Sequence, residues 1–418
     1  MLSKITQVVT VVLLLAASIT ASADEVVRWN RVATDAAAAA QTDPLTESRI
    51  FTIMHIAIHD AVNAIDRRYE SYRAQALLAP SASTDAAIAA AAHATLIQLM
   101  PAAKPTFDAA YEEALLKIAD GEAKKRGLEI GRQAAATILA ARKNDGSDRT
   151  VTRAPGTKPG EYRPTPPDFT PAFFSHWAKV TPFVMKSPAQ FRPVPPPVVK
   201  SVQALADLKE VKSIGAEKSA TRTAEQSEIS RYWYEHSTQG WNRIAREVTV
   251  AQKLEVLENA RLFALVNLAM ADGFIGGFEA KYYYNYWRPA TAIREAGDAE
   301  WLSDLITPPV PDYPSTHTVL GAAAAAVLER FFGTDFVNFT MTSGAPYPGI
   351  TRKFWSFSEA ARENGASRVL AGIHFSTAVN AGYLQGEQIG TLVFEQALRP
   401  INAPQAVPAS AVSAESSR

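Results

Sequence analysis

Apolar residues recur at helical spacing along most of the chain, and this pattern predicts a helical protein. In the block 24–150, Ile50, Met54, Ala57 and Ala61 fall on one face of a helix. Two more helices are indicated by STDAAIAAAAHATLIQLM, which has a serine or threonine cap, and by EIGRQAAATILAARKNDG, which ends in a turn signal. This block therefore reads as an N-terminal helical bundle.

The helical pattern stops between Val151 and Lys200, where twelve prolines are interspersed with phenylalanine, tyrosine and tryptophan. Disordered linkers are usually poor in aromatic residues. We therefore predict that residues 151–200 form an ordered, extended strap that lies on the helices and helps to cover a site. A plain linker is the alternative interpretation.

Helical spacing resumes at Ser201. A capping box at Thr223 to Gln226 opens one helix, a long apolar helix covers Leu254 to Ala280, and others follow Ser315 and Ser358. No run of residues shows the alternation of apolar and polar positions that is typical of a β-strand. The pattern predicts an all-α fold of two helical bundles, residues 24–150 and 201–399, joined by the strap and followed by a disordered tail at 400–418.

The first 23 residues are typical of an export signal. Lys4 gives a positive start, VVTVVLLLAASI an apolar core, and Ala21 to Ala23 a small-residue cleavage site. The apolar run is short for a membrane anchor, which needs about 20 apolar residues. We expect cleavage before Asp24 and a periplasmic or secreted protein, and no later stretch that is long and apolar enough to span a membrane.

Charge and cysteine content exclude several functions. The 42 basic and 42 acidic residues balance, which argues against nucleic acid or an anionic membrane surface as the main partner. The chain has no cysteine, so disulfides, thiolate metal sites and cysteine nucleophiles are excluded.

Three separate segments carry candidate chemistry. In KYYYNYWRPATAIR, Lys281 and Arg288 are seven residues apart, which predicts that both project from one helical face, with Pro289 ending that helix. In PDYPSTHTVLG, Ser315 is predicted to be the N-cap of a helix. The backbone N–H groups that follow it would then point outwards at the positive end of the helix dipole, which favours an anion.

The third segment is ASRVLAGIHFSTA. Arg368 and His374 are six residues apart, and Gly372 is expected to bend the backbone so that both converge. A single histidine beside an apolar run is more often a core residue than a functional one. Together, however, the three segments supply three cations, a helix N-terminus and two histidines, which is what a tetrahedral oxyanion requires. One histidine could bind its central atom and the other could act as an acid–base group.

The three motifs, K-x6-R-P, P-S-x-H and S-R-x5-H, resemble those of the acid phosphatase and vanadium haloperoxidase superfamily. MHIAIHDAVNAI, the strap and MADGFIGGFEAKYYYNYWRPATAIR are similar to the bacterial vanadium-dependent haloperoxidase branch. The resemblance implies a vanadate cofactor whose oxygens are held by the following residues: Lys281, Arg288, Ser315, Thr316 and Arg368. It also implies that His374 binds vanadium and that His317 is the acid–base group.

By the same resemblance, the protein would be a peroxidase that uses hydrogen peroxide to oxidise a halide, which then halogenates a small organic substrate. Two positions depart from the family pattern. Thr316 replaces the usual glycine, and its side chain is expected to narrow the pocket. Ala378 replaces an aspartate that often follows the last histidine by four residues, so a carboxylate that would orient His374 is missing at that position.

Other functions stay open at this point. The runner-up is a soluble acid phosphatase that forms a phosphohistidine at His374, with phosphate as substrate and no cofactor. A catalytically silent protein that binds phosphate or a partner is a third possibility, and a homo-oligomer is possible in each case. Asp272 and Glu279 are expected to be solvated or hydrogen-bonded carboxylates, with an indirect contact to His317 as the sharper alternative.

Overall fold

The computed structural model describes residues 24–73 and 78–401. The predicted export signal at 1–23 and nearly all of the predicted disordered tail, residues 402–418, lie outside the described residues.

The N-terminal block is helical, as predicted. Side-chain oxygens of Asp24, Asp43 and Ser83 accept hydrogen bonds from the first turns of three of its helices. The helices are α1 (Glu25–Ala39), α2 (Pro44–Ile65), α3 (Thr84–Leu99), α4 (Lys104–Leu116) and α5 (Glu122–Ala141).

Residues 151–200 contain irregular stretches, several turns and one 3-10 helix at Ser175–Lys179. The path of this strap is fixed by a carboxylate on a core helix, because the oxygens of Asp272 accept hydrogen bonds of 2.6–2.8 Å from the backbone N–H groups of residues 183–185. Glu279 pairs with Arg192 of the strap. The default interpretation of both carboxylates is confirmed: they are hydrogen-bonded, and they hold the strap on the helices.

The second block is also helical, which confirms the all-α prediction. Its helices are α6 (Val202–Ile214), α7 (Ala224–Tyr232), α8 (Ser237–Gln252), α9 (Val256–Tyr284), α10 (Pro289–Glu295), α11 (Thr316–Phe332), α12 (Phe357–Leu370) and α13 (Ser376–Gln396). The predicted capping box at Thr223 opens α7. The expectation of no strands is wrong at one place, where β1 (Phe339–Thr342) and β2 (Thr351–Phe354) form a short antiparallel hairpin.

One buried apolar cluster takes residues from both blocks, including Ile53 of α2, Phe263 of α9 and Leu320 of α11. Helices α11 and α13 approach closely because α13 carries glycines on the facing side. A Cβ atom added at Gly386 would lie 2.2 Å from the carbonyl oxygen of Val319. The boundaries proposed for the two bundles stay a prediction, since this core is continuous across them.

Helix α9 runs through the middle of this core. By length and composition it could cross a membrane, contrary to the expectation for the segments after residue 23, but 94% of its most apolar stretch is buried inside the protein. It is the only such helix in the described parts of the chain. Its C-terminal end brings Lys281 to the candidate site.

Candidate functional site

Lys281 and Arg288 converge, but not on one helical face as predicted. Helix α9 ends at Tyr284 because Asn285 adopts a left-handed conformation with φ of 49°. Arg288 is the N-cap of the next helix, α10, and Pro289 begins that helix rather than ending the previous one. The chain reversal at Asn285, and not the helical period, brings the two cations together.

Both cations hold the extended segment that precedes α11. The Lys281 ammonium donates hydrogen bonds to the carbonyl oxygens of Pro311, at 2.7 Å, and Asp312, at 2.9 Å. The Arg288 Nε atom donates to the carbonyl oxygen of Val310 at 2.7 Å. Three successive carbonyl groups are therefore fixed by two buried cations.

Ser315 is the N-cap of α11, as predicted. Its side chain does not cap the helix; its Oγ atom instead accepts a hydrogen bond of 3.0 Å from Thr318. Within the described residues, no side chain caps this terminus. The first N–H groups of α11 therefore face the site with the positive end of the helix dipole behind them.

Thr316 occupies space beside a glycine on α9. A Cβ atom added at Gly277 would lie 2.4 Å from the Thr316 Cγ2 atom. Thr316 also lines the cavity that contains the candidate site, which is described below.

His317 is held at both ring nitrogens. Its Nε2 atom lies 2.7 Å from the carbonyl oxygen of Trp233, and its Nδ1 atom lies 2.7 Å from the Ser237 hydroxyl. A carbonyl oxygen only accepts hydrogen bonds, so Nε2 carries the proton and Nδ1 accepts from Ser237. Burial, with help from Arg368, lowers the pKa of His317 well below its usual range, so the ring is neutral.

Arg368 and His374 converge as predicted. Helix α12 ends at Leu370, and Gly372, with φ of 78°, turns the chain back before α13 begins. The Arg288 NH1 atom lies 3.0 Å from Nε2 of His374. Arg368 donates from NH1 to the Trp233 carbonyl oxygen, while its buried Nε atom has no hydrogen-bond partner among the described residues.

A carboxylate does approach His374, from a position that the sequence analysis did not single out. Asp312 is fully buried, and its Oδ1 atom lies 2.8 Å from the Nδ1 atom of His374. It lies 3.8 Å from the NH1 atom of Arg288. Burial raises the pKa of Asp312 to about 7, against the effect of Arg288 and Lys281.

The electrostatics are those of a cationic nest. Burial lowers the pKa of Arg368 to about 10, and burial together with Arg288 lowers that of Lys281 well below its usual range. Burial and the same cations lower the pKa of His374. An anion bound here would relieve this mutual repulsion, so the site favours a negatively charged ligand.

The predicted residues lie at one end of a cavity of about 650 Å³. Five of them line it, namely Arg288, Thr316, His317, Arg368 and His374. Lys281 and Ser315 are buried behind this surface and are not part of the lining. Phe173 and Phe174 of the strap also line this cavity, as do His236 and Ser237.

The solved structure of the first bacterial vanadium-dependent iodoperoxidase is similar to this chain over almost its whole length. The two share 28% sequence identity with a TM-score of 0.80, over 90% of this chain and 97% of the other. The chain is therefore similar in sequence and in fold to a vanadium-dependent haloperoxidase.

Two further comparisons find similarity to vanadium chloroperoxidases, and a third shows the same fold. Residues 261–403 match the model of the VCPO second helical-bundle domain, which includes all three motifs. Vanadium chloroperoxidase of Curvularia inaequalis is 29% identical over 194 aligned positions, and the match covers 32% of each chain. A bacterial vanadium-dependent chloroperoxidase in its apo form shares the fold, with a TM-score of 0.71 at 19% identity over 84% of this chain and 94% of the other.

Two residues of this site were missed from sequence. Asp312 lies within the quoted PDYPSTHTVLG segment, three residues before the predicted N-cap, but nothing in the sequence connects it with His374. No local pattern connects Ser237 with His317 either. Ser237 is the first residue of α8, and His317 follows it by 80 residues in the chain. The contact therefore depends on how the two segments pack.

Proposed function

We propose that the protein is a vanadium-dependent haloperoxidase that oxidises a halide with hydrogen peroxide. The observation that carries the proposal is the convergence of Arg288, Arg368 and the uncapped N-terminus of α11 on the ring of His374, at the end of a cavity that the strap helps to line. The similarity to a vanadium-dependent iodoperoxidase and to a vanadium chloroperoxidase supports the same function. The substrates would be hydrogen peroxide, a halide and a small organic molecule.

The residues present fit vanadate. The Nε atom of Arg368 is a buried donor without a partner in the described part of the chain, and an anion oxygen would satisfy it. Arg288, Ser315 and the Thr316 N–H group would bind further oxygens, and Lys281 would add charge from behind the cavity wall. The Nε2 atom of His374 would bind the metal. Vanadate bound there would supply a Lewis acid that activates hydrogen peroxide towards attack by a halide.

His317 is placed to move a proton. Its ring is neutral and its Nδ1 lone pair accepts the Ser237 hydrogen bond, so a proton would reach Nδ1 through Ser237, whose hydroxyl would give its proton to Nδ1 and take one from peroxide. The Nε2–H group stays bonded to the Trp233 carbonyl, which keeps the ring in one orientation during this step.

The strap and α9 would limit water. Phe173 and Phe174 of the strap and Phe274 and Phe278 of α9 line the same cavity as the cations. An apolar wall strengthens the electrostatic contacts next to it, because it excludes the solvent that would screen them.

We also propose that the chain is exported to the periplasm or secreted. The support is the sequence of residues 1–23, with its positive start, apolar core and small-residue end. N-terminal sequencing of the protein recovered from the culture medium or the periplasm would test this: cleavage before Asp24 is expected.

The activity is tested with purified protein loaded with vanadate. Peroxide-dependent halogenation is measured with iodide, bromide and chloride, and hydrolysis of a phosphate ester is measured without vanadate. We expect halogenation that requires vanadate and is lost in His374→Ala. His93→Ala is the matched control, because His93 pairs with Asp108 on the N-terminal helices and should leave halogenation unchanged.

Two outcomes would contradict the proposal. Ester hydrolysis without halogenation would favour the acid phosphatase, and neither activity together with phosphate binding would indicate a protein that only binds the anion.

A further inference from the structure

The ring of His374 is held from two sides by residues of other segments. We propose that Asp312 is the positioning residue for His374, fixing the ring so that its Nε2 atom faces the anion site. The inference rests on the proposed function, in which Nε2 binds the metal. It assigns the orientation of the ring to a residue of the segment before α11, because Ala378, on the helix after His374, has only a methyl group.

The contacts of Asp312 single out the imidazole. The distance from its Oδ1 atom is 2.8 Å to Nδ1 of His374 and 3.8 Å to NH1 of Arg288. The Lys281 ammonium donates to the backbone carbonyl of Asp312. The ring of His374 is therefore nearer to the carboxylate than the Arg288 guanidinium is, although Nδ1 and Oδ1 are not aligned as a hydrogen bond in this structure.

The two ring nitrogens have different partners. Arg288 is always a donor, so Nε2 accepts from it at 3.0 Å. In a neutral ring the proton is then on Nδ1, beside Asp312. A carboxylate at Nδ1 fixes the tautomer and the orientation, and it makes the other nitrogen a better metal ligand.

The segment that carries Asp312 is itself rigid. Lys281 and Arg288 bind the carbonyl oxygens of residues 310–312, and the neighbouring Tyr313 is buried in a cluster with Phe375 and Ala378. The carboxylate is thus placed by the backbone and not by a flexible side chain alone. Residue 378 lies in the same cluster, so a carboxylate introduced there would approach the ring from α13.

A competing explanation is that Asp312 only balances the charge of the buried cations. The two explanations predict different results when the carboxylate is removed. If Asp312 only balances charge, its removal makes the nest more cationic, so both phosphate and vanadate would bind more tightly. If Asp312 positions the ring, its removal weakens the binding of vanadate, which needs Nε2 of His374, but does not weaken the binding of phosphate, which does not need it.

The first measurement uses the protein without vanadate. Nitrogen-15 spectra of histidine-labelled protein report which ring nitrogen carries the proton, and His374→Gln identifies the signals of His374. We expect the Nδ1–H form in the wild type, a mixture of tautomers in Asp312→Ala, and recovery of the Nδ1–H form in Asp312→Ala/Ala378→Asp. Asp312→Asn, which keeps the shape of the side chain, should give an intermediate spectrum.

The second measurement is titration calorimetry with vanadate and with inorganic phosphate. Asp312→Ala should bind vanadate about 10- to 100-fold more weakly than the wild type, the usual effect of removing a group that orients a metal ligand. Its phosphate affinity should be unchanged or higher, which also shows that the variant is folded. The double variant should recover most of the vanadate affinity.

The inference is overturned if Asp312→Ala keeps the wild-type tautomer, or if it binds both anions more tightly. It is also overturned if Ala378→Asp restores neither the tautomer nor vanadate binding. A wild-type protein that binds no vanadate, but whose tautomer depends on Asp312, would contradict the proposed function and still support the positioning of the ring.

Discussion

The NH1 atom of Arg288 lies 3.0 Å from the Nε2 atom of His374, and both side chains are buried. The two residues come from segments 86 positions apart. Because the guanidinium can only donate, the lone pair of Nε2 faces the cations of the site. This one contact links the K-x6-R-P motif to the S-R-x5-H motif at the candidate anion site.

Arg288→Lys should weaken vanadate binding. The Arg288 guanidinium contacts the carbonyl oxygens of Val310 and Ile373 as well as His374, and a single ammonium cannot reproduce this planar set. We expect about a tenfold or greater loss of affinity, since a hydrogen bond to a charged group contributes about 1.5–3 kcal/mol.

Titration calorimetry measures this loss. Arg352→Lys is the control, because Arg352 pairs with Glu363 away from the cavity and should bind vanadate as the wild type does. Equal affinities of Arg288→Lys and the control would show that Arg288 is not part of the anion site.

Thr316 and Gly277 should behave as a coupled pair. The Cγ2 atom of Thr316 leaves no room for a methyl group at Gly277, where an added Cβ would lie only 2.4 Å away. Gly277→Ala should therefore cost about 1–3 kcal/mol in the wild type. It should be tolerated, or even stabilising, in a Thr316→Gly background, because alanine favours a helix over glycine by about 1 kcal/mol.

Urea unfolding of the four proteins in this double-mutant cycle gives the coupling free energy. Gly273→Ala on the same helix is the control, since its added Cβ would meet Val319 at an ordinary 3.4 Å. A coupling energy of zero would mean that Thr316 does not fill this space.

Asp272→Ala should loosen the strap. The carboxylate accepts three backbone N–H groups from residues 183–185, and each buried donor left without a partner costs about 1–3 kcal/mol. We expect lower stability and faster amide exchange at those three residues. Glu279→Gln, which affects a partly exposed pair with Arg192, should change stability by about 1 kcal/mol or less. Slow exchange in Asp272→Ala would show that other contacts hold the strap.

His236 should make stability depend on pH. Burial lowers its pKa, but the contact with Glu47 at 3.3 Å and the charges of Asp43 and Glu235 outweigh burial and raise the pKa above 6.5. A raised pKa means that the folded state favours the protonated ring. The resulting stabilisation is fully present below about pH 6.5 and is lost as the pH rises through the raised pKa.

Urea unfolding of the wild type and of His236→Gln, at pH values below and above 6.5, measures this contribution to stability. The difference in unfolding free energy between the two proteins should shrink as the pH rises. A difference that grows with pH would show that the ring is neutral in the folded protein.

The helices and the three site motifs could be predicted from sequence because both depend on local signals. The spacing of apolar residues and the capping residues identify α2, α3 and α7. Each motif is recognised by the order and spacing of its own residues. The relation between Lys281 and Arg288 could not be predicted, because it depends on the left-handed conformation of Asn285. The partners of His374 and His317, Asp312 and Ser237, depend on how distant segments pack, and no local pattern encodes that distance.

The central claim is that vanadate binds in the cationic nest and is bonded to His374. A crystal structure of the vanadate-loaded wild-type protein tests it most directly. We predict a metal centre bonded to Nε2 of His374, with its oxygens contacting Arg288, Arg368 and the N-terminus of α11. Vanadate bound elsewhere, or in this nest without a bond to His374, would contradict the claim.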